Sequence, residues 1–132
     1  MKYLGVDYGL KKVGLAFSEG QVAWVYKVLD VNSLSDAVEK IAHVIKEEQI
    51  ERVVVGVPDK KAAKVINNFI KSLEKKITEN NLNVSVIKAD ETLSSYQARN
   101  LMIEMGTAKK AREKEDAYAA ALILQNFLDT LN

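Results

Sequence analysis

Three strand-like runs crowd the first thirty residues, and the gaps between them decide how they pair. Tyr3-Leu4-Gly5-Val6 is mostly apolar. Val13, Leu15 and Phe17 alternate with Gly14, Ala16 and Ser18, and Val22 to Leu29 is rich in Val, Trp and Tyr. A parallel pair of strands needs a crossover of a dozen or more residues. Residues 7–12 and 19–21, which separate the runs, are too few for that. The spacing therefore predicts an antiparallel meander. Its second strand carries small side chains at every other position, so one of its faces has little bulk.

After Asn32 the apolar period changes from two to that of a helix. Ser33 or Ser35 can cap a helix that places Leu34, Val38, Ile41, Val44 and Ile45 on one stripe. Arg52-Val53-Val54-Val55-Gly56 reads as a strand covered on both faces. A second helix follows, with Ala62, Val65, Ile66, Phe69, Ile70, Leu73 and Ile77 at helical spacing, ended by Asn80-Asn81. Val84, Val86 and Ile87 mark a fifth strand. Thr92 or Ser94 opens a third helix through Leu101 and Met105, Gly106 punctuates a basic stretch, and a last helix runs from about Glu115 to Leu128. A meander followed by helix–strand alternation predicts an α/β domain: a five-stranded mixed sheet with helices on both faces. No repeat or linker divides the 132 residues, so a single domain over 1–132 is expected.

Composition excludes several classes. The chain has no cysteine, so disulfides and thiolate metal sites are impossible and a reducing, cytoplasmic setting is expected. No apolar stretch approaches the ~20 residues of a membrane helix, and no signal-like segment opens the chain. A net charge of +1 means that any polyanion must be met by a local basic patch.

Three carboxylates stand out by position. Asp7 closes the first strand, Glu91 the fifth, and Asp116 opens the last helix. Ala120, Ile123 and Phe127 follow Asp116 at i+4, i+7 and i+11, so the Asp116 carboxylate shares the face that packs on the sheet. Such a group is costly unless paired, hydrogen-bonded or bound to metal. If strands one and five run in the same direction near the sheet centre, Asp7 and Glu91 meet at the end where open α/β sheets gather ligands. Three converging acids repel unless a hard cation lies between them. Two Mg²⁺ or Mn²⁺ ions about 4 Å apart, with substrate bound, would activate water for phosphodiester hydrolysis. Each acid also has a plainer reading. Asp7 before Tyr8-Gly9 fits a turn, Glu91 a loop acid, and Asp116 the helix macrodipole. The combination carries the argument.

Lys109, Lys110, Arg112 and Lys114, with Lys11 and Lys12 between the first two strands, are candidate phosphate contacts, although Glu113 and Glu115 interleave with the first group. Gly9 and Gly14 keep the adjoining hairpin low and Asp7 accessible. His43 falls between the stripe positions of its helix and reads as exposed, while Trp24 reads as sheet packing. Ser18, Ser94 and Ser95 have no His in a recognisable hydrolase motif.

With these positions in view, the chain resembles the YqgF/RuvX family of small RNase H-like proteins. The likeness lies in Gly5-Val6-Asp7-Tyr8-Gly9-Leu10-Lys11-Lys12-Val13-Gly14-Leu15-Ala16, Val53-Val54-Val55-Gly56-Val57-Pro58, Asp90-Glu91-Thr92-Leu93-Ser94-Ser95 and the helix Asp116 to Leu124. The resemblance spans nearly the whole chain. It implies an RNase H-like fold and a divalent-metal nuclease site built on Asp7, Glu91 and Asp116. Two positions depart from the family pattern: Thr92 stands where the family has Arg, and Asp59-Lys60-Lys61 replaces a longer Gly-containing loop. The implied substrate is an rRNA precursor, with ribosomal precursor particles as partners, or branched DNA. A monomer suits the first and a homodimer the second. A non-catalytic nucleic-acid or ribosome-assembly binding module is the competing class. An actin-like ATPase, suggested by Asp7-x-Gly9, would need a second such domain.

Overall fold

A computed structural model of the chain describes residues 1–57, 63–90 and 115–131. Along it run β1 (Tyr3–Tyr8), β2 (Lys12–Ser18), β3 (Ala23–Asp30), α1 (Leu34–Glu47), β4 (Arg52–Val57), α2 (Ala63–Glu79), β5 (Ser85–Asp90) and α3 (Glu115–Asp129). The helix expected from Thr92 or Ser94 to Met105 lies outside the described residues, as do Gly106, Thr92 and the Asp59-Lys60-Lys61 segment.

The strands form one sheet in the order β3-β2-β1-β4-β5. β1–β2 and β2–β3 are antiparallel, whereas β1–β4 and β4–β5 are parallel. The expected meander and mixed sheet are both present. β1 and β5 do run in the same direction, but only β1 is central. β4 separates them, because its Val53, Val54 and Val55 are buried on both faces and need strands on either side. β5 keeps its residues exposed or half-buried, as suits an edge.

Alternation along the strands sends side chains to two different layers. Leu4 and Val6, Val13 and Leu15, and Val53 and Val55 face α1 and α2, where they join Ile41, Ile45, Phe69 and Leu73 in the larger core. Burying each such side chain stabilises the fold by about 1.5–3 kcal/mol. Tyr3, Ala16 and Val54 face α3 and meet Ala120, Ile123, Leu124 and Leu128. No helix among the described residues is long and apolar enough to cross a membrane.

Local signals set the helix ends. Ser33 is the cap of α1: its Oγ accepts a hydrogen bond from Asp36 N at 3.0 Å. Asn81, at φ 55°, follows the end of α2. Two expectations change. Trp24 is 64% exposed rather than packed, because β3 is the outer strand. Val65 is 44% exposed, on the flank of the apolar stripe in the first turn of α2.

Candidate functional site

β1 fixes Asp7 from both sides. Its neighbour Val6 pairs with Val55 of β4, and Asp7 itself lies in register with Gly14 of β2. Tyr3 and Gly5 face α3, so strand alternation turns Asp7 to that face as well. Tyr8 points the other way and stacks on Phe69 of α2, with ring centroids 4.2 Å apart and planes at 13°. The end of β1 is thus anchored from behind by an aromatic pair while its acid faces forward.

α3 descends antiparallel to β1, and three contacts set its path. The Asp116 backbone seats on Gly14, Ala120 and Leu124 cross over Gly5, and Phe127 reaches Tyr3 at a centroid distance of 6.2 Å. A Cβ on Gly14 would fall inside the Asp116 carbonyl group. At Gly5 it would lie 2.8 Å from Ala120 O and from Leu124 Cβ. Small residues on this sheet face therefore let the helix backbone itself lie on the strands. Because Gly14 is the register partner of Asp7, the first turn of α3 arrives beside that acid. The room left by Gly14 is filled by the backbone of α3, while Asp7 itself stays partly exposed.

The electrostatics of the corner follow from this packing. Asp116 is half-buried, and burial, with Glu115 beside it, pushes its carboxyl above the usual range. Lys12 opposes that shift through its positive charge. Lys12 begins β2 two residues before Gly14, on the same sheet face, in register with Asp30. Lys11 is exposed in the adjoining turn, where its carbonyl accepts from Val31 N at 2.9 Å. Asp7, Asp116 and Lys12 are therefore gathered at the carboxyl ends of the parallel strands. β5 ends there too, at Asp90, one residue before Glu91. Glu91, Lys109, Lys110, Arg112 and Lys114 lie outside the described residues. His43 is exposed, 3.9 Å from Glu47, and takes no part in this corner.

Among the described residues, no group of three or more His, Cys, Asp or Glu is placed to hold a metal ion. The two acids that are described nevertheless suit a hard cation: both offer carboxylate oxygens, and ionised Asp116 carries a charge that burial penalises.

Comparison with known proteins decides the family. The model of the RuvX family, described as a Holliday junction resolvase, matches residues 1–130. The chain belongs to the RuvX family. A Nitratidesulfovibrio vulgaris protein named "Putative pre-16S rRNA nuclease" is 33% identical over 138 residues, covering 98% of this chain and 94% of that one. A Chlamydia muridarum protein of the same name is 35% identical over 136 residues, covering 97% and 91%. Among solved structures, Thermus thermophilus RuvC in complex with Holliday junction substrate matches with a TM-score of 0.60 at 17% identity, covering 100% of this chain and 96% of that one. The fowlpox virus Holliday junction resolvase matches at 0.66 with 12% identity, covering 98% and 99%. These two establish the fold that RuvX proteins share with the resolvases: a five-stranded mixed sheet of RNase H type with helices on both faces.

Proposed function

We propose that this RuvX protein is a divalent-metal-dependent nuclease that hydrolyses phosphodiester bonds in structured nucleic acid. Its leading substrate would be the 5′ end of the 16S rRNA precursor, met in ribosomal precursor particles in the cytoplasm. The observation that carries this reading is the seating of Asp116 on Gly14, the register partner of Asp7. That contact brings two acids from opposite ends of the chain to one corner of the sheet. The names of the relatives, "Putative pre-16S rRNA nuclease", point to the substrate.

Asp7, Asp116 and, from the end of β5, Glu91 would hold the cation, with a second ion joining when substrate is bound. Bound Mg²⁺ or Mn²⁺ would supply Lewis acidity and a water of lowered pKa. The chain's own residues do the positioning. Strand pairing fixes Asp7, and close packing on Gly14 fixes Asp116. Lys12, exposed on the same face, offers a point charge to a phosphate oxygen and is joined by Lys11 from the turn. Lys109, Lys110, Arg112 and Lys114, just before α3 in sequence, complete the proposed set of phosphate contacts.

A second reading, resolution of branched DNA by a homodimer, is favoured by the family description and shares the same chemistry. The two are separated by assaying purified protein with Mg²⁺ or Mn²⁺ on 16S precursor fragments, unrelated single-stranded RNA and four-way DNA junctions. Asp7→Asn and a chelator serve as controls. Cleavage of the precursor, lost in both controls, is expected. Cleavage of junctions alone would transfer the function to the second reading. Cleavage surviving the chelator or Asp7→Asn would overturn the metal-nuclease proposal. Binding without cleavage by wild type would make the chain a binding module instead.

A further inference from the structure

α2 buries Ile66, Phe69, Ile70, Leu73 and Ile77 against the sheet and α1. At 3.6 residues per turn, the opposite side of the helix carries Lys64, Asn68, Lys71 and Lys75. These four fall within about 60° of one another and span about 16 Å along the axis. All four are exposed. The helix's two acids, Glu74 and Glu79, flank the stripe. Among the described residues, no ion pair joins Lys64, Lys71 or Lys75 to a carboxylate. Lys76 lies off the stripe, turns to α1 and pairs with Glu39 at 3.2 Å. The outer side of α1 looks different, for there Lys40 is neutralised by Asp36 and His43 sits beside Glu47. In a chain of net charge +1, the α2 stripe is a line of exposed lysines that are not engaged in ion pairs among the described residues.

Its placement gives the line a direction. The Tyr8–Phe69 stack holds the amino half of α2 at the end of β1 that carries Asp7. Toward the other end of α2, Ile77 and Thr78 lie by Val84 and Ser85, at the start of β5. The lysines therefore start near the candidate active site and lead away from it over the opposite sheet face. α2 is roughly 10–12 Å thick with its side chains, so the stripe stands at least a helix's width from the acids. That distance removes it from the phosphate being cut.

We propose that Lys64, Asn68, Lys71 and Lys75 form a track for the sugar–phosphate backbone of a nucleic-acid arm that flanks the cleavage point. A 16 Å line faces about five phosphates of one strand at B-form rise. Lysine ammonium groups and an Asn amide are donors suited to phosphate oxygens, and they grip without reading sequence. The track rests on the nuclease reading above, and it adds a demand on the substrate. One helical arm enters the corner at Asp7 while a second lies along α2, so a branched or folded nucleic acid engages both and a short single strand engages only the first.

The test is equilibrium binding, without divalent metal, of a labelled RNA hairpin and a four-way DNA junction across about 50–200 mM KCl. The variant Lys64→Gln/Lys71→Gln/Lys75→Gln should bind about a hundredfold more weakly at the low-salt end and approach wild type at the high-salt end. Its slope of log affinity against log salt should be shallower by about 3. Lys71→Gln/Lys75→Gln should lose about 2. Lys27→Gln/Lys46→Gln, which removes two exposed charges elsewhere, should leave the slope unchanged. Cleavage of a single strand too short to reach α2 should proceed at the wild-type rate in the triple variant. An unchanged slope in the triple variant, with wild type still binding, overturns the track and leaves the nuclease reading standing. The same holds if the Lys27/Lys46 variant loses as much as Lys71/Lys75. Wild type that binds neither ligand at any salt overturns the track, while the nuclease reading is decided by the cleavage assay with Mg²⁺ or Mn²⁺. Far-UV circular dichroism of each variant establishes that the fold is intact.

Discussion

On the α1/α2 side of the sheet, β1 and β2 present Leu4, Val6, Val13 and Leu15. On the α3 side the same two strands present Gly5, Asp7, Gly14 and Ala16. The first set is bulky and holds helices through interlocking side chains, a liquid-free packing that tolerates modest adjustment of volume. The second set is so small that the α3 backbone touches the strands directly, and at Gly14 no spare atom fits. One layer supplies most of the stability. The other fixes where two acids stand. Errors in the two layers should therefore be felt in different measurements.

The sharpest way to break that division is Gly14→Ala. The added Cβ would collide with the Asp116 carbonyl and Ala117 N, so the first turn of α3 must lift. A displacement near 1 Å at a catalytic group costs about a hundredfold in rate. We expect at least that loss of metal-dependent cleavage, while far-UV circular dichroism still reports a folded protein. Activity within a few-fold of wild type would show that the close seat on Gly14 is not what positions Asp116. Leu73→Ala probes the opposite layer. Leu73 is fully buried against the α1/α2 core, so its truncation should cost about 2–5 kcal/mol in denaturant unfolding. The rate constant of the folded fraction should be unchanged. A loss of rate matching the loss of stability would erase the distinction between the layers.

Much of this organisation was legible in the chain. Alternation in β2 and the helical spacing of Ala120 and Ile123 after Asp116 are local patterns, and local patterns report which face a residue takes. They placed Asp116 on the face of its helix that packs on the sheet, and Asp7 at the end of its strand. They could not report which strands become neighbours, so the edge position of β5 stayed open and Trp24 was expected within the packing. The role of Gly14 was also hidden. The small residues of β2 signalled a low face, but only the docked helix shows that the space belongs to Asp116. The α2 stripe is hidden for a related reason: single lysines on a solvent face look ordinary until the structure shows which of them pair with acids.

The smallest expected effect concerns the cost of that corner. Burial, with Glu115, raises the Asp116 carboxyl, so the folded protein holds this proton more tightly than the unfolded chain does. As pH climbs from the ordinary carboxylate value through the raised one, stability must therefore fall. At neutral pH ionised Asp116 is a net burden in the absence of metal. Asp116→Asn should then melt about a degree or two higher than wild type at pH 7. The two should converge at pH values below the ordinary carboxylate range, where the acid is protonated in both states. A lower melting temperature for Asp116→Asn at pH 7 would mean that the carboxylate is structurally paid for in this fold and not held against its preference.

Asp7 lies in the first strand and Asp116 at the start of the last helix, more than a hundred residues later. During synthesis the sheet and the α1/α2 layer can assemble from the chain up to Asp90, well before α3 has been made. The corner that gathers the acids closes only when residues 115–129 have emerged and docked on Gly5 and Gly14. A nascent copy made only as far as Asp90 therefore has Asp7 in place but lacks the helix that carries Asp116. On the proposed function, cleavage would have to wait for that helix to dock.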